Sequence, residues 1–285
     1  MISLVKDKHV IEALGKARIV IEDGTITSID SPVIDYCPIF GKYHNIQKIT
    51  KEDIRKNIEY RIDDFGMCTK DRVLKMGDML SVGISEILRS NVELGNIDCV
   101  VGACEGAGTI LMTDSDLIQG VGGRVSGLVS TTPIKEIIEQ IGEENVLNPK
   151  TAELNPMGGL KIAIERGFKD IAITILPSPM IHELRVMEVP EDVNVYIFVA
   201  HTTLATKDEV EMMFEDADIV TACASKNIIE YAQIKKPYYY GTAVPIYAIS
   251  DNGKKFLDAR LAHINKPLSV NDYPQDLSKM SKPLK

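Results

Sequence analysis

Apolar residues recur along the chain with two different periods. Near the N-terminus, residues 17–29 hold two short β-branched runs on either side of Asp23-Gly24. Such a pair of runs predicts a β-hairpin, because Asp-Gly accepts the positive φ angles of a tight two-residue turn. After Cys37-Pro38 the period lengthens. Ile54, Ile58 and Ile62 lie on one helical stripe behind Thr50 and Asp53, which have capping-box spacing. A second helix is expected over 71–93, with Leu80, Ile84, Ile87 and Leu88 on its buried face.

Beyond Asn96, near-continuous apolar runs alternate with amphipathic ones. Residues 97–103, 170–176, 193–200 and 218–222 each read as a strand covered on both faces. Helices are expected at 133–141, 160–166 and 207–214, the last behind a Thr206/Glu209 capping box, and a final unit pairs 245–249 with a helix after Ser250. Alternation of this kind predicts an α/β fold: a mostly parallel, Rossmann-like three-layer sheet with right-handed crossovers, preceded by an N-terminal β-hairpin and helical extension. The extension is assigned to 1–95, the core to 96–265, and a Lys-, Ser- and Pro-rich, loosely held tail to 266–285.

Composition narrows the function classes. A hydrophobic share of 45% beside a charged share of 26% is that of a folded chain. The net charge of −9, the absence of Trp and the lack of any stretch interleaving basic and aromatic residues argue against a nucleic-acid partner. No run approaches the ~18 apolar residues of a membrane helix, and the N-terminus turns polar too soon for a signal peptide. A cytoplasmic protein with no membrane association is expected. Five cysteines, an odd number, fit reduced thiols rather than a disulfide framework.

Familiar catalytic signatures are missing. No Gly-Lys pair is followed by Ser or Thr, His182-Glu183 lacks the second His of a zincin, and neither Cys-x-x-Cys nor Gly-x-Ser-x-Gly occurs. Gly106-Ala107-Gly108 comes after a strand, but Leu111 stands where a third glycine belongs. Ligands of open α/β sheets sit outside the carboxyl ends of the strands. At the ends of the expected strands stand Cys104 to Thr109, then Pro177-Ser178, then His201-Thr202-Thr203, then Cys223 to Lys226. Cys104, His201 and Cys223 are therefore expected in one crevice, with Glu105 and His201 as acid/base candidates. Gly106, Gly108, Thr109, Thr202, Ser225 and Lys226 are candidate ligand contacts. Each of these also fits a buried small residue or a helix cap, as Ser225 does before Lys226.

Two further features carry chemistry. Residues 120–127 place four glycines around Arg124, either a loop whose amides and guanidinium bind a small anionic ligand or a tight connection needing positive φ. Cys68 is expected just before a helix N-terminus, where the dipole favours a thiolate. With Cys99 inside a strand, Cys37, Cys68, Cys104 and Cys223 remain. Four thiolates are what an iron–sulfur cluster or a structural zinc requires. They are too far apart in sequence for a local knuckle, so the fold would have to gather them.

The chain resembles a family of archaeal proteins known as methanogenesis marker protein 8. The match is carried by Tyr36-Cys37-Pro38, the stretch Arg61 to Thr69, Cys104 to Thr109, Gly120 to Gly127, Ile141 to Asn145, His201-Thr202-Thr203 and Thr221 to Lys226. The resemblance implies an association with methanogenesis and a role in assembling or activating methyl-coenzyme M reductase. In that anaerobic setting iron is the favoured occupant of a four-thiolate site. Three readings compete: a protein handling a metal cluster or cofactor for the reductase or its maturation machinery, a transferase or hydrolase of an anionic small molecule, and a non-catalytic subunit of a larger assembly.

Overall fold

Two sheets organise the chain, and the computed structural model describes residues 7–37, 41, 46–125, 127–241 and 244–273. Pro38, Ser126 and 274–285, on which parts of the motif and tail readings fall, lie outside the described residues. The strands are β1 (Lys8–Glu12), β2 (Arg18–Glu22), β3 (Thr25–Ile29), β4 (Cys99–Cys104), β5 (Gly108–Met112), β6 (Leu128–Ser130), β7 (Asp170–Ile175), β8 (Asn194–Val199), β9 (Ile219–Thr221), β10 (Tyr238–Tyr240) and β11 (Ile246–Ala248). The α-helices are α1 (Lys51–Phe65), α2 (Ile84–Glu93), α3 (Ser115–Gly122), α4 (Lys135–Ile141), α5 (Pro156–Glu165), α6 (Met180–Arg185), α7 (Lys207–Asp216), α8 (Lys226–Lys235) and α9 (Asp251–His263).

The first sheet is antiparallel, in the order β3-β2-β1-β6. Asp23 (φ 47°) and Gly24 (φ 71°) make the expected turn between β2 and β3. Alternation puts Ile11, Ile19 and Ile21 on one face, where they form a buried cluster with Ile54, Ile58 and Phe65 of α1. The Thr50/Asp53 capping box that starts α1 is present. Strand β6 was not legible as a strand; it brings a segment from beyond residue 95 into this sheet.

The second sheet is mixed, in the order β10-β11-β9-β8-β7-β4-β5. Its centre, β9-β8-β7-β4, is parallel, and β5, β11 and β10 are antiparallel at the two edges. The parallel share is smaller than expected for a physical reason. Only residues 105–107 separate β4 from β5, and so short a connection reaches an antiparallel neighbour, not a parallel one. Successive residues of the central strands face opposite ways. Val100, Ala172, Phe198 and Ile219 join one buried cluster with residues of α2, α3, α4 and α9. Val101, Ile173, Ile197 and Val220 join another with residues of α5, α6, α7 and α8.

The helix expected over 71–93 begins only at Ile84, behind Gly83. Upstream of it the backbone bonds to other elements, Val73 N–H to Phe65 O at 2.9 Å and Met76 N–H to Asp116 O at 3.0 Å. Gly77 and Gly83 disfavour continuation of the helix, and Leu80, expected inside, is 69% exposed. The chain from Lys266 to Tyr273 is held by Ser269, whose N–H and Oγ donate to Asp258 Oδ1 at 2.8 and 2.7 Å, and by Val270 paired with Tyr239. Among the described residues no helix is long and apolar enough to cross a membrane.

Candidate functional site

Strands β8 and β9 are parallel neighbours, and two residues beyond the end of each stands one with an uncommon backbone. His201 has φ 56° and Cys223 has φ 41°, the left-handed region that costs a non-glycine residue about 1–2 kcal/mol. Fixed hydrogen bonds hold both turns. Thr202 Oγ1 donates to Thr221 O at 2.6 Å, tying the turn after β8 to the end of β9. Ala222 N–H donates to Pro245 O at 2.8 Å, and Ser225 N–H closes the turn around Cys223 by donating to Ala222 O at 3.0 Å. Ser225 Oγ then caps α8. Cys223 thus stands at the apex of a strand–turn–helix connection, flanked by the small residues Ala222 and Ala224.

The first sheet supplies a partner for the imidazole. His201 Nε2 lies 2.9 Å from Glu12 Oε2, at the end of β1. A carboxylate can only accept, so Nε2 carries the proton and Nδ1 is the nitrogen left to receive another. Burial holds His201 below its ordinary pKa, outweighing the upward pull of Glu12, and nearby Lys16 adds a smaller lowering. Burial thus favours the neutral imidazole. Lys16 Nζ lies 3.7 Å from Glu12 Oε2 and donates to Thr203 O at 3.1 Å, joining the sheets a second time. Gly127 lets them approach. With φ 76°, it has no Cβ, and one built there would sit 2.9 Å from both His201 Nε2 and Glu12 O.

Two cavities meet at His201, Cys223 and Val244. The smaller, about 200 Å³, is also lined by Glu12, Lys16, Cys37 and Arg61. The larger, about 360 Å³, is mainly apolar, with Leu88, Val100, Met112 and Val121 in its wall beside Thr174, Thr221 and Glu86. Glu86 is buried; its carboxylate accepts from Ser81 Oγ and Ser85 Oγ at 3.0 Å each and from Gln119 Nε2 at 3.1 Å.

A second group of ionisable residues is sealed. Arg72 and Glu105 are both fully buried and paired through Arg72 Nε and Glu105 Oε1. Arg72 also donates to the carbonyls of Val73 and Gly120, the latter at 2.9 Å. Its guanidinium lies over the Phe65 ring at 4.6 Å, as does that of Arg124. Cys68 and Cys104 are buried in the same place, and burial followed by the Glu105 carboxylate pushes both thiols well up. Arg61 extends from this group to the smaller cavity. Burial lowers its pKa while Glu105 opposes the shift, and its Nη1 donates to Arg124 O at 3.1 Å.

The expected site residues therefore separate. His201 and Cys223 line the same two cavities, but Cys104 faces Glu105, and Ala103 lines the larger cavity in its place. Glu105 is locked to Arg72. Arg124 donates from Nε to Met76 Sδ at 3.2 Å and stacks on Phe65 instead of entering the crevice. In the 120–127 stretch, Gly120 and Gly122 belong to α3, where a Cβ at Gly120 would overlap the Leu74 carbonyl. Gly106 and Gly108 form the β4–β5 turn, and Thr109 Oγ1 accepts from Asn155 N–H at 2.8 Å. Thr202 and Ser225 hold the turns already described, and Lys226 is exposed, 3.8 Å from Glu230. Cys68 comes after the C-terminus of α1 rather than preceding a helix, which removes the dipole argument for a thiolate.

The four cysteines do not form a tetrad. Cys68 and Cys104 flank Glu105, whereas Cys37 and Cys223 line the smaller cavity. Among the described residues no group of three or more His, Cys, Asp or Glu side chains is placed to hold a metal ion. Glu12, Lys16, Arg61 and Glu86 escaped the sequence reading as site residues. Arg61 lay in one of the motifs that carry the resemblance; Glu12, Lys16 and Glu86 gave no signal.

Comparison with known proteins matches residues 9–262 to the family described as "Uncharacterized protein conserved in archaea (DUF2099)". The chain is similar to the "Uncharacterized protein MJ0054" of Methanocaldococcus jannaschii, 41% identical over 283 residues that cover 98% of this chain and 99% of that one. No solved structure matches it. The matched span contains both ends of the crevice, from Glu12 to Val244, and the chain belongs to the archaeal family DUF2099.

Proposed function

We propose that the protein is an enzyme acting on an anionic small molecule through a cysteine nucleophile. In this reading Cys223 attacks, His201 is the general base and Glu12 fixes the imidazole in the tautomer that leaves Nδ1 free. The observation that carries it is the pair of strained residues, His201 and Cys223, at the ends of adjacent parallel strands and in the wall of one cavity with Glu12. Strain of this kind persists where the surroundings fix a functional geometry. Arg61 and Lys16 supply positive charge for an anionic group, and the larger cavity takes the apolar part of the substrate.

The chemistry is acyl transfer, which covers transferase and hydrolase. The thiol proton passes to His201 Nδ1 as sulfur bonds to the carbonyl carbon; the leaving group departs with that proton, and water or an acceptor then cleaves the thioester. A reducing cytoplasm would keep such a thiol active, and five free cysteines suit it.

Four parallel strands with buried clusters on both sheet faces support a Rossmann-like three-layer description of the core. The link to methanogenesis and to methyl-coenzyme M reductase rests on the marker protein 8 resemblance alone. The separated cysteine pairs do not favour metal-cluster handling.

The test is the rate of Cys223 alkylation by iodoacetamide at pH 7 in the native protein and in His201→Ala and Glu12→Gln variants. His201→Ala should slow it at least about tenfold, with Glu12→Gln between. A rate that His201→Ala leaves unchanged overturns the reading.

A further inference from the structure

The larger cavity contains one ionisable group with an unusual set of partners. Glu86 is 6% exposed in a mainly apolar wall that includes Ile84, Leu88, Met112, Ile118 and Val121. Its three hydrogen-bond donors, Ser81, Ser85 and Gln119, are neutral, and among the described residues it has no ion pair. Gln119 is itself fully buried, and its Oε1 has no partner while its Nε2 serves Glu86. The polar spot is therefore rich in acceptors. A buried carboxylate held only by neutral donors lacks the positive charge that ordinarily offsets its desolvation, and an unpaired amide oxygen next to it lacks a donor.

We infer that the larger cavity binds an aliphatic primary amine, its ammonium group against the Glu86 carboxylate and its chain along the apolar wall. An ammonium carries hydrogen-bond donors and one positive charge, which match the Glu86 carboxylate in the cavity wall. This deepens the proposed enzymatic reading and rests on it. Glu86 would select a substrate with an amine-bearing aliphatic arm, while Arg61 and Lys16 hold its anionic end. An alcohol of the same length would fill the cavity without supplying the charge, and a carboxylate would meet Glu86 with like charge.

The experiment is calorimetric titration of the full-length protein with n-hexylamine, 1-hexanol and hexanoate at pH 7. Hexylamine should bind at least about tenfold more tightly than hexanol, and hexanoate should bind most weakly. Glu86→Gln, which keeps the side chain's shape, should erase the preference for amine over alcohol. Equal binding of amine and alcohol by the wild-type protein overturns the inference, whatever the fate of the variant. So does an amine preference that survives in folded Glu86→Gln, because that marks diffuse attraction to an acidic protein. The alkylation rates of wild-type and His201→Ala protein, measured without amine, test the thiol reading separately, so either can fail alone.

Discussion

The Arg72–Glu105 knot and the His201–Cys223 crevice contain the same kinds of residue and do opposite things with them. Both join cysteine to ionisable side chains at the carboxyl edge of the central sheet. In the knot every charge has a short-range partner, the thiols are sealed, and burial pushes them away from ionisation. In the crevice the thiol and the imidazole stand on strained turns and open onto cavities. Residue identity does not separate the two; satisfaction and access do. A buried ion pair fixes how α1, α3 and β4 meet, whereas the His201–Cys223 pair is strained and lies in the wall of two cavities.

The largest expected effect breaks the knot. Glu105→Ala leaves the Arg72 guanidinium charged, buried and without its counter-ion, and should cost about 3–5 kcal/mol of stability in urea denaturation. A loss under about 1 kcal/mol would mean that the pair is dispensable and would remove the contrast with the crevice.

Acid should also weaken the sealed side. His9 on β1 is fully buried, its Nδ1 lies 2.6 Å from Thr131 Oγ1, and its Nε2 has no partner. Burial lowers its pKa from 6.5 to about 4. The unfolded chain therefore binds this proton more readily than the folded one between those values. The stabilisation is complete above about pH 6.5 and is lost as pH falls toward 4, amounting to about 3 kcal/mol in all. His9→Gln should flatten the pH dependence of the urea midpoint over that window.

A pair of glycines sharpens the comparison with a smaller change. Gly127 and Gly95 have φ 76° and 72°, but a Cβ at Gly95 meets nothing within 4 Å, whereas one at Gly127 crowds His201 and Glu12. Replacement by Ala should cost each about 1–2 kcal/mol through the backbone. Only Gly127→Ala should also slow Cys223 alkylation. Equal rates in the two variants would show that the His201–Glu12 contact does not govern the thiol.

Much of this architecture was legible from local pattern. The Asp23-Gly24 turn, both capping boxes and the apolar central strands are short-range features, and each is present. The features that escaped depend on contacts distant in sequence. Strand β6 is three residues long and is a strand only because β1 lies beside it. The 71–83 segment has helical periodicity, but its backbone bonds to Phe65 and Asp116 instead of itself. The site shows the same division. His201 and Cys223 stand out because they sit at strand ends, while Glu12 reaches His201 from 189 positions away. Cys104 sits at a strand end just as Cys223 does, yet the tight β4–β5 hairpin turns it into the core.

Access and geometry, not cysteine chemistry as such, set Cys223 apart. The most direct test is a time-resolved map of iodoacetamide labelling at all five thiols of the native protein, read by peptide mass spectrometry. Cys223 should label first, with Cys68, Cys99 and Cys104 at least about 100-fold slower until denaturant equalises them. Labelling of Cys68 or Cys104 at a rate matching Cys223 in the folded protein would contradict the account.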